Sequence, residues 1–266
     1  MTIAMREARA SFAFVERNFN LMKRYWGWEV AWLVYSIAGA LAVSFIGVAE
    51  SNNELLKFLI IGTIFWNYLS IVFGFIGETV TWERWEGTLE YTFMAPVRRY
   101  AQLLGSTVFA IGYGLLQMLI ILAVLIVFFG ITFEGGDFAT AAVFILLGSV
   151  SFIGVGMMAA ILPLLYVERG DQMVFVIQSM ILLFSGVYYT VDVLPGWMQV
   201  VAQFSPGTYV LEGVRQGLIY GQPVTELLEN VWPLIVMGVV LIPLGVYVFG
   251  IAERYAKKTG KLKRVG

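Results

Sequence analysis

The sequence predicts an all-α membrane protein, and three observations lead to that class. Hydrophobic residues make up 59% of the 266-residue chain, and charged residues only 13%. Several stretches of about 20 or more residues carry no charge, which is the length that an α-helix needs to cross a bilayer core of about 30 Å. These stretches are apolar on all sides and do not alternate every second residue, so the strands of a β-barrel are not predicted.

The first 27 residues predict an amphipathic helix that lies in the membrane interface before the spans begin. Apolar residues recur at spacings of four and three, at Ala8, Phe12, Val15, Phe19 and Met22. Basic residues fall mostly elsewhere on the helical wheel, at Arg6, Arg9, Arg17, Lys23 and Arg24. Such a helix places its apolar side in lipid and its cations near the headgroups; a soluble cap helix is the alternative. The segment lacks the short apolar core of a cleavable signal peptide.

Hydropathy predicts six membrane spans, at 28–49, 58–77, 103–129, 139–165, 173–190 and 231–252. Pro163 and Pro243 are expected to kink the fourth and sixth spans. A further uncharged run, 193–211, is interrupted twice by Pro and Gly, so we expect a re-entrant or interfacial segment over 191–222. The predicted organisation is an amphipathic helix (1–27), a six-helix membrane domain (28–252) and a basic tail (253–266).

The distribution of positive charge predicts the orientation of the spans. With six spans and the N-terminus inside, every Lys and Arg except Lys57 and Arg215 lies on the inner side. Cytoplasmic loops of membrane proteins are enriched in Lys and Arg. Both termini and the polar segment at 78–100 are therefore predicted to be cytoplasmic.

Several classes of chemistry lack the residues that they need. The chain has no Cys and no His, which excludes thiol chemistry, thiolate metal sites and histidine bases. The second, third and fourth spans carry no charge, and Glu29 lies near the inner end of the first, so an ion-coupled carrier lacks its usual intramembrane groups. Gly260-Lys261 lacks the other residues of a phosphate loop. We therefore predict that the chain is not an enzyme and does not itself hydrolyse ATP.

The polar segment 78–100 is the strongest candidate for contact with a cytosolic partner. Thr81 is expected to cap a short helix that lies parallel to the membrane, and Gly87 divides the segment. Trp82 and Trp85, three residues apart, are expected to share one face, while charge is presented by Glu83, Arg84 and Glu86. Such a helix fits a cleft in a partner protein; a solvated interfacial loop is the alternative.

These residues resemble the ABC-2 type permeases, the transmembrane subunits of type V ABC exporters. That family carries a pattern close to E-x-x-x-G-T-x-E followed by proline after its second span, and it is matched here by Glu83, Gly87, Thr88, Leu89, Glu90 and Pro96. A second match follows the fifth span, over 184–188, 194–197, 205–206 and 212–215. With the amphipathic start and the six spans, the resemblance covers essentially the whole chain.

The resemblance implies a dimer of permeases, identical or paired with a sibling, bound to two separate ABC ATP-binding subunits in a prokaryotic inner membrane. ATP and Mg would be held by those subunits, no cofactor by this chain, and membrane lipid but no nucleic acid would be a partner. The N-terminal helix would be an elbow helix. The coupling contact would be made by Trp82, Glu83, Arg84, Trp85, Glu86, Gly87, Thr88, Leu89 and Glu90.

Two further sets of residues follow from the resemblance. An outer gate would be formed by the re-entrant residues Pro195, Trp197, Phe204, Pro206, Glu212 and Arg215, with Glu212 and Arg215 paired locally. The translocation path would be lined by Asn67, Tyr68, Gln178 and Tyr188, although interhelical hydrogen bonds also explain polar residues in spans.

The resemblance implies ATP-driven export by alternating access, with a hydrophobic or amphiphilic drug or lipid as the expected substrate. A lipid-linked glycan is the alternative substrate. An ATP-independent channel or carrier, and a membrane scaffold or sensor, are the alternatives from other classes.

Overall fold

The structure, a computed structural model, describes residues 3–85, 87, 92, 94, 99–166 and 169–259, and these form helices with no strand among them. The α-helices are α1 (Ile3–Arg24), α2 (Trp26–Ala49), α3 (Asn53–Trp85), α4 (Arg99–Phe129), α5 (Phe138–Ala159), α6 (Ile161–Leu165), α7 (Gly170–Phe184), α8 (Gly196–Ala202), α9 (Pro206–Tyr220) and α10 (Leu228–Lys258). Single 3-10 turns lie at Val191–Val193 and Val224–Glu226. The all-α prediction is confirmed.

Within the described residues, five helical segments are long and apolar enough to cross a membrane. They are Trp26–Ala49, Asn53–Glu83, Ala101–Phe129, Phe138–Leu165 and Leu228–Lys258. Each contains one of the predicted spans, namely the first, second, third, fourth and sixth. The chain is therefore a multi-pass membrane protein.

The predicted fifth span, 173–190, is not confirmed as a spanning helix. Its helix, α7, ends at Phe184 after 15 residues, or about 22 Å at 1.5 Å per residue. A turn follows in which Gly186 adopts a φ of +67°, a left-handed conformation that ends a helix and that glycine adopts without strain. The residues from 185 to 190 therefore extend the apolar run in sequence but not the helix.

Pro163 lies where the fourth predicted span divides into two helical pieces. A proline in a helix removes one backbone donor and clashes with the carbonyl group four residues earlier. The α5 helix ends at Ala159, and a one-turn helix, α6, contains Pro163. Pro243 lies inside α10, which stays continuous from Leu228 to Lys258.

The core of the molecule is built around α3. Its largest fully buried side chains include Ile60, Ile61, Leu69, Phe73 and Ile76. By contrast, α2 buries only a narrow face of small residues, Ser36, Ala40, Ser44 and Gly47, and exposes most of its large apolar side chains. Small side chains let two helices approach closely, which is the usual way that helices associate in a membrane. The central helix α3 is thus enclosed by the rest of the bundle.

The N-terminal helix α1 has two different faces. Phe12 and Phe19, from the predicted apolar stripe, are 68% and 43% exposed, as expected of side chains that insert into lipid. The other face packs on α4, where a Cβ on Gly105 would lie 2.3 Å from the carbonyl oxygen of Ser11. Asn18 Nδ2 also donates to Ser106 Oγ at 3.3 Å. The helix is therefore fixed to α4 while its aromatic side chains remain exposed.

Candidate functional site

The polar segment does not begin with a separate short helix. The α3 helix runs without interruption through Thr81 to Trp85, so the prediction that Thr81 caps a new helix is wrong. Gly87 follows with a φ of +69°, in the left-handed region that terminates helices. The first part of the predicted coupling contact is therefore the last turn of the central helix, because packing along α3 outweighs a local capping signal.

Glu83 lies in the interior at this end of α3, and its side chain is only 1% exposed. Its Oε1 atom accepts hydrogen bonds from Arg17 Nη1 on α1 at 2.8 Å and from Gln102 Nε2 on α4 at 2.7 Å. Thr92 Oγ1 is 3.3 Å from the same oxygen. We call this cluster of Arg17, Glu83, Thr92 and Gln102 the Glu83 joint.

The burial of Glu83 corrects the expectation that it presents its charge to a partner. Its carboxylate contacts three residues that are 66, 19 and 9 positions away from Glu83 in sequence. Burial of an ion is expensive unless a counter-ion and hydrogen bonds compensate it, and the Glu83 joint supplies both. Glu83 therefore holds the end of α3 against α1 and α4.

Other residues of the predicted coupling contact are exposed around this joint. Trp82 is 41% exposed, and its ring centroid lies 6.2 Å from that of Tyr25, at the junction of α1 and α2. Met94 is 72% exposed, although the sequence did not single it out. The predicted contact residues Glu86, Thr88, Leu89 and Glu90, and the side chains of Arg84 and Trp85, lie outside the described residues.

The opposite end of α3 meets a second buried charge, Arg215 of α9, which is 6% exposed. Arg215 Nη1 donates to the carbonyl oxygen of Gly186 at 2.9 Å, and Nη2 donates to that of Val187 at 2.7 Å. The guanidinium carbon lies 3.5 Å from the centroid of the Phe58 ring, a cation–π contact. Phe58, Gly62, Gly186, Val187 and Arg215 form what we call the Arg215 joint.

Gly62 explains how α3 takes part in the Arg215 joint. A Cβ at this position would lie 2.0 Å from the carbonyl oxygen of Val187 and 3.2 Å from Arg215 Nη2. Only a residue without a side chain lets the turn after α7 come this close to α3. The start of α9 is also fixed to that turn, because Ser185 Oγ and Ser205 Oγ are 2.6 Å apart.

Arg215 does not form the predicted ion pair with Glu212. Among the described residues, its hydrogen-bond partners are the two carbonyl groups, while Glu212 is exposed and accepts a hydrogen bond from Gln216 Nε2 at 2.7 Å. The guanidinium group points from α9 toward α3 and the turn after α7. Sequence spacing alone predicts a neighbour on the same helix, whereas tertiary packing supplies the partners here.

The other residues of the predicted outer gate lie on or beside α8 and α9. Pro195 precedes α8, and Pro206 is the first residue of α9, where its missing N–H group costs no helical hydrogen bond. Trp197 and Phe204 are 66% and 76% exposed. The ring of Trp197 lies 6.5 Å from that of Phe184 at the end of α7, edge to face.

The four predicted path residues have different environments. Tyr68 is 1% exposed and its hydroxyl group bonds to Ser149 Oγ, so it lies in the core and lines no open path in this conformation. Asn67 is half-buried, and its Nδ2 donates to the carbonyl oxygen of Thr63 at 3.2 Å. Gln178 is 5% exposed, and its Nε2 has no hydrogen-bond partner within the described part of the chain. Tyr188 is half-buried in the turn after α7.

Sequence reasoning missed the partners of both buried charges. Arg17 appeared only as one of several headgroup cations, and Gln102, Phe58 and Gly62 gave no signal of their own. Arg215, the single basic residue of the segment 191–222, was the available signal for the Arg215 joint, because such a charge requires compensation. Within the described residues, no group of three or more Asp, Glu, His or Cys side chains could hold a metal ion.

The fold defines a multi-pass helical membrane protein whose central helix is held by a buried charge near each end. A family model described as ABC-2 type transporter matches residues 10–219, well over half of the chain. The chain therefore belongs to the ABC-2 type transporter family, and the resemblance seen in its motifs is confirmed. A comparison with curated proteins gives no match. The ABC-2 membrane domain is a permease domain that lacks ATPase motifs, and such permeases generally pair with ATP-binding subunits.

Proposed function

We propose that this protein is the membrane permease of an ATP-driven exporter in a prokaryotic inner membrane, with both termini in the cytoplasm. A second permease copy and two separate ABC ATP-binding subunits, which carry the ATP and Mg, would complete the complex. The observation that carries the proposal is the continuous helix α3. It joins a partly exposed end, near Trp82 and Gly87, to the outer turn at Gly62.

The geometry of α3 suits the transmission of movement. Gly62 and Glu83 are separated by 21 helical residues, or about 32 Å, close to the thickness of the bilayer core. The Glu83 joint attaches one end to α1 and α4. The Arg215 joint attaches the other end to α9 and to the turn after α7. A displacement applied to the segment after Trp85 therefore reaches the outer turn along a single helix.

This arrangement supports alternating access as the mechanism. Closure of the ATP-binding subunits would move residues 82–94 and with them the end of α3. Because the outer turn bears on α3 at Gly62, movement of α3 would change how α8 and α9 cover the outer end of the path. Trp197 and Phe204, which are exposed on this outer segment, are candidates for gate surfaces.

A hydrophobic or amphiphilic molecule, such as a drug or lipid, is the substrate class that we favour. The most buried aromatic side chains of α3, including Phe65, Tyr68 and Phe73, are at most 2% exposed. They are therefore not available to stack on the sugar rings of a glycan in this conformation, and the glycan alternative has less support.

Association with the ATP-binding subunit tests the proposal directly. The permease would be purified with the product of a neighbouring reading frame that encodes a phosphate loop. We expect Trp82→Ala to reduce co-purification at least about tenfold, since loss of a buried aromatic anchor commonly costs 2 kcal/mol or more. The matched control is Trp232→Ala, which removes an equally large exposed side chain from the start of α10.

Transport by the reconstituted complex separates the alternative classes. Uptake into inverted vesicles that requires ATP supports an exporter. Uptake by the permease alone would indicate a channel or carrier, and stable association without flux would indicate a scaffold. Equal loss of association in Trp82→Ala and Trp232→Ala would contradict the assignment of the docking surface to the end of α3.

A further inference from the structure

Glu29, in the first turn of α2, is half-buried, and its carboxylate has no counter-ion among the residues that the structure describes. It lies on the same helical face as the buried residues Ser36, Ala40 and Ser44, so it points toward the protein and not toward lipid. Within the part of the chain that the structure describes, no Lys or Arg nitrogen lies within 4 Å of it. Ionisable groups inside membrane helices are costly, and they commonly mark functional sites.

Two polar side chains of α4 extend inward from Glu29. The hydroxyl group of Tyr113 donates to Glu29 Oε2, and Gln117 Nε2 donates to the Tyr113 oxygen. Gln117 is 3% exposed, yet its Oε1 atom has no hydrogen-bond partner among the described residues. A buried carbonyl group without a donor is unfavourable, because it has lost its hydrogen bonds to water and gained none in return. The cluster therefore contains a carboxylate and an unsatisfied acceptor, and both favour a positive ligand.

Aromatic rings form a wall beside the carboxylate. Tyr113 stacks on Phe109 with ring centroids 5.9 Å apart and an interplanar angle of 8°. Phe75 of α3 meets both rings edge to face, at 5.3 and 5.5 Å. The faces of aromatic rings carry negative potential and attract organic cations. The wall therefore places aromatic surface next to Tyr113, the ring whose hydroxyl group bonds to Glu29.

The surfaces of α3 and α4 are open at two glycines next to this cluster. Glycines precede Phe75 and Tyr113 directly, and a Cβ added at Gly74 or Gly112 would meet no atom within 4 Å. Trp26 and Trp28, at the start of α2, are 69% and 73% exposed, as expected of side chains at the level of the headgroups. A cationic head at Glu29 would therefore lie near the membrane–water boundary, with its apolar body in the lipid.

We propose that Glu29, Tyr113, Gln117, Phe75 and Phe109 form a binding site for amphiphilic organic cations that enter from the inner leaflet. The inference rests on the proposed export function and narrows its substrate class to positively charged amphiphiles. Glu29 supplies the negative charge, and the aromatic wall contacts the apolar part of the ligand that adjoins its cationic head. When the cationic head carries a hydrogen-bond donor, Gln117 Oε1 accepts from it.

Binding to the permease alone, in lipid nanodiscs without ATP-binding subunits, tests the site. The probe is radiolabelled tetraphenylphosphonium, and the competitor is tetraphenylborate, an anion of nearly the same shape. We expect saturable binding of the cation and no competition by the anion. Glu29→Gln retains an acceptor for Tyr113 but removes the charge, and should weaken binding at least about tenfold, equivalent to about 1.4 kcal/mol. Glu50→Gln, which neutralises an exposed carboxylate just after the other end of α2, is the matched control.

Three results would overturn the inference: equal affinity in Glu29→Gln and the unaltered chain, equal loss in Glu50→Gln, or effective competition by tetraphenylborate. The last comparison uses the unaltered protein, so it remains informative if a variant fails to fold. Absence of cation binding with normal association of the ATP-binding subunit would reject this site alone. Cation binding without that association would retain the site and reject the proposed function.

Discussion

The two joints of α3 hold a buried charge by opposite means. At the Glu83 joint, a carboxylate is compensated by side chains, the guanidinium group of Arg17 and the amide of Gln102. At the Arg215 joint, a guanidinium group is compensated by two backbone carbonyl groups and an aromatic ring, with no carboxylate within 4 Å among the described residues. The first joint depends on charge, whereas the second depends on the path of the backbone.

This difference suits the position of each joint. Side chains have rotamer freedom, so the Glu83 joint can adjust when the segment after α3 is displaced. The carbonyl groups of Gly186 and Val187 cannot move without moving the turn after α7. The Arg215 joint therefore connects movement of α9 rigidly to that turn, and it requires a forked donor that reaches two oxygens at once.

The largest effect is expected when the carboxylate of the Glu83 joint is removed. Glu83→Ala leaves the buried donor of Gln102 unsatisfied and separates α1 from α3, so we expect a loss of about 3 kcal/mol in the free energy of unfolding. Unfolding of the purified permease in mixed micelles, followed by tryptophan fluorescence, measures this loss. Glu16→Ala removes an exposed carboxylate from α1, the helix that carries Arg17, and should have almost no effect. Equal stability of the two variants would show that the joint does not hold the helices together.

A smaller loss of about 2 kcal/mol is expected for Gly62→Ala, because the new Cβ would meet the carbonyl oxygen of Val187, which cannot move independently of the backbone. Gly74→Ala on the same helix is the control. Its Cβ would meet nothing within 4 Å, and the higher helix propensity of alanine should leave the stability unchanged or raise it. The same fluorescence measurement applies to both variants. If Gly62→Ala is as stable as Gly74→Ala, the turn after α7 does not bear on α3 as described.

The smallest effect, and the sharpest comparison, comes from replacing each arginine by lysine. Arg17→Lys should cost less than about 1 kcal/mol, since one ammonium group can take over a single contact with Glu83 from a position that is 32% exposed. Arg215→Lys should cost about 1–2 kcal/mol, because lysine cannot reproduce the fork that reaches both carbonyl groups. Unfolding in mixed micelles gives the two values side by side. A larger cost for Arg17→Lys than for Arg215→Lys would reverse the roles that we assign to charge and backbone.

Hydropathy predicted the five long apolar helices well, because an uncharged apolar run of about 20 residues is unfavourable in water and favourable in the bilayer core. It failed at the fifth span, where the end of the helix depends on a turn. That turn is fixed by Arg215, and by Gly62, more than 100 residues before it in sequence. The apolar composition of residues 185–190 extended the predicted span to residue 190. Hydropathy measures the transfer of side chains from water to lipid and contains no information on where the backbone turns.

The site was predicted in outline and not in its contacts. The segment around Glu83 was identified by its polarity and by its family motif, but not the burial of Glu83, which depends on Arg17, 66 residues away. Spacing suggested that Glu212 pairs with Arg215, whereas the partners of Arg215 are backbone atoms, which no side-chain pattern reveals. Local rules therefore located the charged residues, and tertiary packing determined their partners.

The short α7 helix has a consequence for the surrounding lipid. A helix of about 22 Å is about 8 Å shorter than a typical bilayer core of about 30 Å, and the exposed side chains of α7, including Phe175 and Met180, cannot cover the difference. A bilayer in contact with the whole of α7 would have to become thinner there, or polar groups would have to descend to meet the helix end, at a cost that rises with each ångström of mismatch. Lipids with short acyl chains would lower this cost. The thickness of the membrane would then affect the free energy of α7 and of the turn that follows it.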